Sequence, residues 1–507
     1  MSNQITIQLD RKISSIDRNL FGGFAEHLGR CIYGGIYEPD SPLADKDGLR
    51  KDVLEALRRL NMPIMRYPGG NFVSGYRWRD AVGPKEERNA RMELAWHDLE
   101  PNTFGTNEFV NFCRRINSEP YMAVNCGDGD MRDARDWLEY CNGSKDTALV
   151  KLRKSHGYDK PHNIKYWSIG NEVDGPWQIG MKTADEYARA YSEYAKVMKW
   201  TDPSIKLLAA AVSLWDQNWV ERIQVLMEQT HCFKRFTGNR DLIDYIAIHW
   251  YVGNDKMRGF ADDDFASYMA ISERFEDHIS STKGIIRAMS SALKMGKDIP
   301  ISVDEWNVWY RVHNEGKLEE IYNLEDALVV ALHFNSFIRN ADSVKMANIA
   351  QIVNVIAPIF TKPDGMVLQT TFYPFEIYSQ TCGTTALDVH WSGDTFSAKG
   401  MNGTRTLTGL RTLDVSATLD EKNKRLSLYA VNRSQRKPQD IDINLVDGRF
   451  KGKVQAYTVN GKNVKDTNTF KSPNKVVTKA ATLKAKGTSF SSTLEPHSFT
   501  AFVFDLA

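Results

Sequence analysis

The stretch Ile164-Lys165-Tyr166-Trp167-Ser168-Ile169-Gly170-Asn171-Glu172 decides the fold. A short run of apolar and aromatic residues stops at a glycine and delivers an amide and then an acid. This is how a buried strand ends when its last residues face a shared opening. A second run has the same build, with Ile301-Ser302-Val303 leading into Asp304-Glu305-Trp306. Working outward, β-rich runs recur at Leu20 to Glu26, Pro63 to Pro68, Tyr121 to Cys126, Ile205 to Val212, Tyr245 to Trp250 and Val344 to Ile349. With Ile164 to Gly170 and Ile299 to Asp304 they make about eight. Runs that alternate with amphipathic helices call for a parallel sheet with helical crossovers, and eight strands close such a sheet. The expected class is therefore α/β, a (β/α)₈ TIM barrel over residues 20–374.

The helices between the runs are legible from apolar spacing. Tyr187, Tyr191, Tyr194 and Met198 share one face; Thr183 and Glu186 form a Thr-x-x-Glu box at the start, and Asp202-Pro203 stops the helix. Ile285, Met289, Ala292 and Leu293, closed by Gly296, repeat the design, as do Leu324, Leu328, Ala331 and Ile338. After about residue 375 the helical period gives way to short alternations, such as Leu426, Leu428 and Ala430, parted by turns including Asn460-Gly461. Residues 375–507 are expected to form a C-terminal β-sandwich, jelly-roll-like. Ile5, Ile7 and Leu9 alternate in the same way, so residues 1–19 should add a strand to it. The lysine-rich stretch Lys475 to Lys486 reads as a solvated loop or an edge strand protected by charge.

Composition narrows the function. With 42% hydrophobic residues, 25% charged residues and a formal net charge of +1, the chain offers no global field for nucleic acid or acidic lipid. No run approaches the roughly 18 to 20 apolar residues that span a bilayer, and no export segment is indicated. The six cysteines lack CxxC or Cys/His spacing, which fits reduced structural thiols in a cytoplasmic protein. Asn142-Gly143-Ser144, Asn402-Gly403-Thr404 and Asn432-Arg433-Ser434 then read as turns rather than glycosylation sites. A Walker loop, a GxGxxG after a strand and an HExxH are all missing, so neither a cofactor nor a metal is expected.

Catalytic groups of a barrel project from the C-terminal ends of its strands, and Glu172 and Glu305 occupy such ends on the fourth and seventh strands. Two carboxyls across one mouth are the toolkit of glycosidic bond cleavage: one protonates the departing oxygen and the other meets the positive charge growing on the anomeric carbon. A separation of about 5 to 5.5 Å permits direct attack and retention, whereas a wider gap admits water and inverts. The neighbouring anion is expected to raise the pKa of the acid.

In its motifs the chain resembles glycoside hydrolase family 51, the α-L-arabinofuranosidases, over nearly its whole length. The motifs are Phe24-Ala25-Glu26-His27, Arg66-Tyr67-Pro68-Gly69-Gly70-Asn71-Phe72, Gly170-Asn171-Glu172 with Asp174-Gly175-Pro176-Trp177, His249-Trp250-Tyr251 and Asp304-Glu305-Trp306-Asn307. The resemblance implies Glu172 as acid/base, Glu305 as nucleophile, and an arabinofuranose pocket lined by Glu26, Asn71, Asn171, Tyr251 and Gln351. The implied partners are arabinofuranosyl-containing oligosaccharides or polysaccharides, and the implied assembly is a homo-oligomer, a hexamer. Asn171 is suited to bond the sugar's 2-hydroxyl, and Glu26 to accept from two hydroxyls or else to serve in a structural ion pair. Arg66 is suited to favour the anionic form of Glu305 or to pair with a more distant acid. Tyr251 is expected to touch Glu305 or the sugar, and His249 to stand one layer back or to be a satisfied core histidine. Gly69-Gly70 permits close backbone approach, and Trp96, Trp177 and Trp309 are candidates for stacking on leaving-group sugars. The alternatives are a β-xylosidase or endoglucanase on the same scaffold, or a carbohydrate-binding protein that does not cleave.

Overall fold

A computed structural model of the chain describes residues 3–213, 216, 218–254, 264–310, 318–399 and 406–507. Asn402-Gly403-Thr404, read above as a turn, lies outside the described residues. Eight parallel strands close into a barrel and are numbered here within it: β1 (Gly22–Phe24), β2 (Ile64–Tyr67), β3 (Glu119–Val124), β4 (Tyr166–Ile169), β5 (Lys206–Val212), β6 (Tyr245–Val252), β7 (Ile301–Val308) and β8 (Val344–Ala350). Each pairs with its neighbour in chain order, and β8 returns to β1 through Asn348 opposite Gly22. Glycine there is a packing requirement: a Cβ on Gly22 would stand 2.7 Å from the Ala347 carbonyl oxygen.

The box at Thr183 forms as read. Thr183 Oγ1 accepts from the Glu186 N–H, Glu186 accepts in return from the Thr183 N–H, and the helix runs Ala184–Thr201 with all four named apolar residues buried. The later helix Ile271–Ala292 departs from the reading. Its buried stripe is Phe275, Ile279, Thr282, Ile286 and Met289; Ile285 and Leu293 pack against the core half-buried, and of the apolar residues read only Ala292 is exposed. The adjacent isoleucines could not be told apart by period alone.

Past the barrel, helix Phe372–Thr381 runs across the expected boundary at residue 375. Pro374 occupies its first turn, where a missing N–H costs nothing. Nine strands then form one mixed sheet, in which Ile5 pairs antiparallel with Trp391 and parallel with Ile443. The sheet bends back on itself: Phe490 near one edge stacks edge-on with Phe502 of a strand six places away, at 5.2 Å between centroids. A sandwich is thus made from one sheet, over a core that includes Leu426, Leu428 and Phe504. Strand Thr478–Lys484, from the lysine-rich stretch, is an exposed edge.

Helix Leu324–Arg339 is buried along nearly its whole length because the barrel covers one face and the sheet the other. Arg339 closes that junction, with Nη1 and Nη2 each 3.0 Å from a carboxylate oxygen of Asp414 and a further bond to Glu276. Removing one member of a buried pair leaves the other charge uncompensated. Arg339→Leu is therefore expected to lower the unfolding free energy by about 3 kcal/mol, read from chemical denaturation. A midpoint unchanged from that of the parent chain would refute this.

Candidate active site

The C-terminal ends of the barrel strands bring the acids together around one arginine. Arg66, on β2 and fully buried, donates from Nη1 to Glu305 Oε1 at 2.6 Å and from Nη2 to Asn171 Oδ1 at 2.6 Å. The face of its guanidinium lies 4.6 Å from the Phe24 ring. Glu305 takes a second bond on Oε2, from the Tyr251 hydroxyl at 2.8 Å. Both of its oxygens are thus fixed before anything enters the site.

Asp304 also points into the barrel, although strict alternation would turn it outward. The register of β7 shifts between Ser302 and Glu305 against β6 and between Val303 and Trp306 against β8. Such a bulge re-aims side chains, and it lets consecutive acids face inward. Asp304 accepts from the Tyr121 hydroxyl at 2.7 Å, and Arg66 and His249 outweigh its burial and hold it below the ordinary carboxylate range. Neither Asp304 nor Tyr121 had been assigned a role from sequence, because the bulge carries no residue signature.

His249 stands directly against the acids. Its Nδ1 lies 2.9 Å from Glu172 Oε1 and 3.6 Å from Glu305 Oε2, and its Nε2 lies 3.2 Å from Asp304 Oδ1. Burial works against a charged ring, yet Glu305, Asp304 and Glu172 together lift its pKa well above the ordinary imidazole value. Glu172 shows the converse. Burial raises it, but the bond and charge of His249, with the Trp177 indole N–H at 2.6 Å, bring it below the usual value. The expectation that the neighbouring anion would raise the acid is thus corrected: the hydrogen bond and charge of His249 outweigh burial and hold Glu172 below its ordinary value. One oxygen of Glu172, one of Glu305 and a ring nitrogen of His249 all lie within 4.8 Å of one another.

The remaining residues cluster beside this centre. Glu26 accepts from the Phe72 N–H at 3.1 Å, the Trp96 indole at 3.1 Å and Gln351 Nε2 at 3.0 Å. Burial, aided by the charge of Glu305, pushes its pKa up to about 8 against those donors. A Cβ on Gly70 would lie 3.0 Å from Glu305 Oε1, 3.3 Å from Asn171 Nδ2 and 3.5 Å from Glu26 Oε2, so this glycine sits in the middle of the site. Asn71 follows it, half-buried, at the start of the turn Asn71–Gly75. Asn171 has its carbonyl tied to Arg66, and its buried Nδ2 has no partner.

The three tryptophans separate. Trp177 is 48% exposed and bonds the outer oxygen of Glu172, so it stands on the open side. Trp96 is a wall of the pocket through Glu26, rather than a platform outside it. Trp309 packs edge-on against Tyr251 at 5.6 Å. The placement of Trp96 rests on the hairpin Arg91–Met92 and Leu99–Glu100, whose strands of two residues leave no periodic signal.

Comparison with known proteins agrees with this geometry. Residues 56–259 match the model of the alpha-L-arabinofuranosidase 1 domain, and residues 304–498 match that of the alpha-L-arabinofuranosidase C-terminal domain. The intracellular exo-alpha-(1->5)-L-arabinofuranosidase 1 of Bacillus subtilis is 40% identical over 85% of this chain and 85% of its own length. Alpha-L-arabinofuranosidase C of Emericella nidulans is 40% identical over 92% of this chain and 90% of its own. The solved structure of the thermostable GH51 alpha-L-arabinofuranosidase from Thermotoga petrophila superposes with a TM-score of 0.90 at 37% identity, covering 99% of this chain and 100% of that one. With its barrel, paired glutamates and C-terminal sheet, the chain belongs to the α-L-arabinofuranosidases of glycoside hydrolase family 51.

Proposed function

We propose that this chain removes terminal non-reducing α-L-arabinofuranosyl residues from arabinan, arabinoxylan or arabino-oligosaccharides, with retention of configuration. The observation that carries the reading is the approach of Glu172 and Glu305 carboxylate oxygens to within 4.8 Å of each other. That spacing leaves no room for a water between Glu305 and the anomeric carbon, which favours double displacement over inversion. Glu305 attacks the anomeric carbon while Glu172 protonates the departing oxygen; water, deprotonated by Glu172, then breaks the ester. Glu26, Asn71, Gln351 and Trp96 line the end of the pocket away from the acid and favour a chain terminus over an internal residue. Asn171 Nδ2, the unpartnered donor, is suited to the sugar's 2-hydroxyl. Turnover of nitrophenyl α-L-arabinofuranoside but not nitrophenyl β-xyloside, with proton NMR of the first-formed anomer, tests the assignment. A dominant xylosidase activity or an inverted first product would defeat it.

His249 is assigned here as the store of the acid's proton. It transfers the Nδ1 proton to Glu172 while its Nε2–H stays directed at Asp304 Oδ1. In His249→Gln the shared proton has only a carboxyl to reside on, so the alkaline limb of the pH dependence of kcat/KM is expected to move to lower pH. The sign follows from the raised pKa of the imidazole, which in the parent chain keeps the pair singly protonated to higher pH. Activity near neutrality is expected to fall at least about tenfold. An unmoved limb would remove His249 from the proton path.

A cytoplasmic setting is supported by the intracellular designation of the Bacillus subtilis relative and by four buried free thiols, Cys31, Cys113, Cys126 and Cys141. Assembly into a hexamer is part of the same reading, and a monomer in light scattering would overturn it.

A further inference from the structure

Trp96 reaches Glu26 from a hairpin too short to stand alone. Its strands pair only as Arg91 opposite Glu100 and Met92 opposite Leu99. A two-stranded ribbon of this length has no stability of its own in water, so what fixes it must come from the rest of the molecule. The outward side does not supply it: Met92, Leu94 and Leu99 are 64%, 62% and 63% exposed. Arg91 pairs with Asp80 near the surface, where an ion pair contributes little. The Glu93 carboxylate accepts from the Trp96 N–H at 2.6 Å, which shapes the turn but lies within the hairpin itself. Of the described residues 91–100, Glu100 alone is buried, and the Trp96 ring is half-buried.

Glu100 is engaged on both oxygens. Oε1 accepts from the Tyr33 hydroxyl and from the Asn102 N–H at 2.7 Å, and Oε2 lies 2.8 Å from His27 Nδ1. A carboxyl group shut away from water needs such partners, and two of these three belong to the chain that leaves β1. His27 is fixed in turn. Its Nε2 meets the Tyr67 hydroxyl of β2 at 2.8 Å, its N–H donates to the Pro68 carbonyl at 3.1 Å, and its ring stacks 4.7 Å from that of Phe72. Glu26 precedes His27 in sequence, and Glu26 Oε1 accepts from just two groups, the Phe72 N–H and the Trp96 indole. One imidazole thus locates the acceptor, the first donor and, by way of Glu100, the second.

We propose that Glu100, seated on His27 and Tyr33, is a positioning residue for the sugar pocket: it fixes the foot of the hairpin and through it the Trp96 indole that bonds Glu26. That the pocket holds an arabinofuranosyl ring rests on the proposed reaction. Because the indole and Glu26 stand away from the acid that protonates the leaving group, the effect falls on binding of the ring more than on the chemical step. The test is a double-mutant cycle on nitrophenyl arabinofuranoside with Glu100→Gln, Trp96→Ala and the two combined. Glu100→Gln is expected to raise KM about fivefold or more in the parent chain, with kcat within about threefold, and to change KM less than about twofold once Trp96 is gone. Leu99→Ser, on the exposed side of the same strand, should leave both parameters unchanged. If Glu100→Gln melts too early for kinetics, Tyr33→Phe, which keeps the carboxyl group and removes one donor, takes its place in the cycle with the same expectations. An unchanged KM, or an equal effect with and without Trp96, overturns the inference. So does a loss reproduced by Leu99→Ser, which would show that the hairpin is held from its outer side. Absence of turnover on arabinofuranosides in the parent chain would instead strike the proposed reaction.

Discussion

Glu305→Ala is expected to lower kcat/KM at least about 10⁴-fold on every arabinofuranoside, whatever its leaving group. The carboxylate is held in advance by Arg66 at 2.6 Å and Tyr251 at 2.8 Å, so removing it takes away a nucleophile whose orientation needs no further ordering. Among the described residues, neither neighbouring acid can replace it. Asp304 is bound by Tyr121 and His249, and Glu26 is fixed by three N–H donors on the far side of the pocket. A mechanism-based fluorinated arabinofuranoside should add its mass to the parent chain and not to the variant. Near-parental activity in Glu305→Ala, or labelling elsewhere in the chain, would show that the attacking group is another residue.

Glu172→Ala separates the two half-reactions. On natural arabinosides, whose leaving alcohol requires a proton, the expected loss is about 10²- to 10⁴-fold. On a nitrophenyl arabinofuranoside the first step needs no acid and should be spared, so the glycosyl-enzyme should accumulate and appear as a burst. Added azide, which needs no general base, should then restore turnover and yield an arabinofuranosyl azide of retained configuration. The substitution also removes the partner of His249 Nδ1 and of the Trp177 indole, so thermal stability should be recorded alongside. Equal losses on both substrate types, without azide rescue, would count against the acid/base role.

The barrel and its two principal acids were legible because both rest on local pattern. Each glutamate ends an apolar run, and parallel strands of one barrel must open their ends to the same side. What escaped reading depends on chain segments distant in sequence or on backbone irregularity. The contact of His249 with Glu172 joins the ends of β4 and β6 across the barrel, and no spacing encodes it. Asp304 faces inward through a bulge that leaves no mark in Ile301-Ser302-Val303-Asp304-Glu305. Helix Phe372–Thr381 was missed because Pro374 and aromatic residues mask its period, while its buried position supplies the stability that its composition does not. Tyr378 shows how: its ring stacks 4.3 Å from Tyr429 and 5.0 Å from Phe499 of the sheet.

The strand Asn3–Ser15 sets the order in which the molecule can be finished. Its neighbours on either side are Thr385–Ser392 and Gln439–Leu445, so during synthesis it must wait, unpaired, while the entire barrel is made. At roughly 5 to 20 residues per second the delay is on the order of 20 to 90 s, a window in which Ile5 and Ile7 are available to chaperones or to the same segment of another nascent chain. Production yield should therefore respond to translation speed and to fusions placed ahead of this strand more than to changes on the barrel's surface.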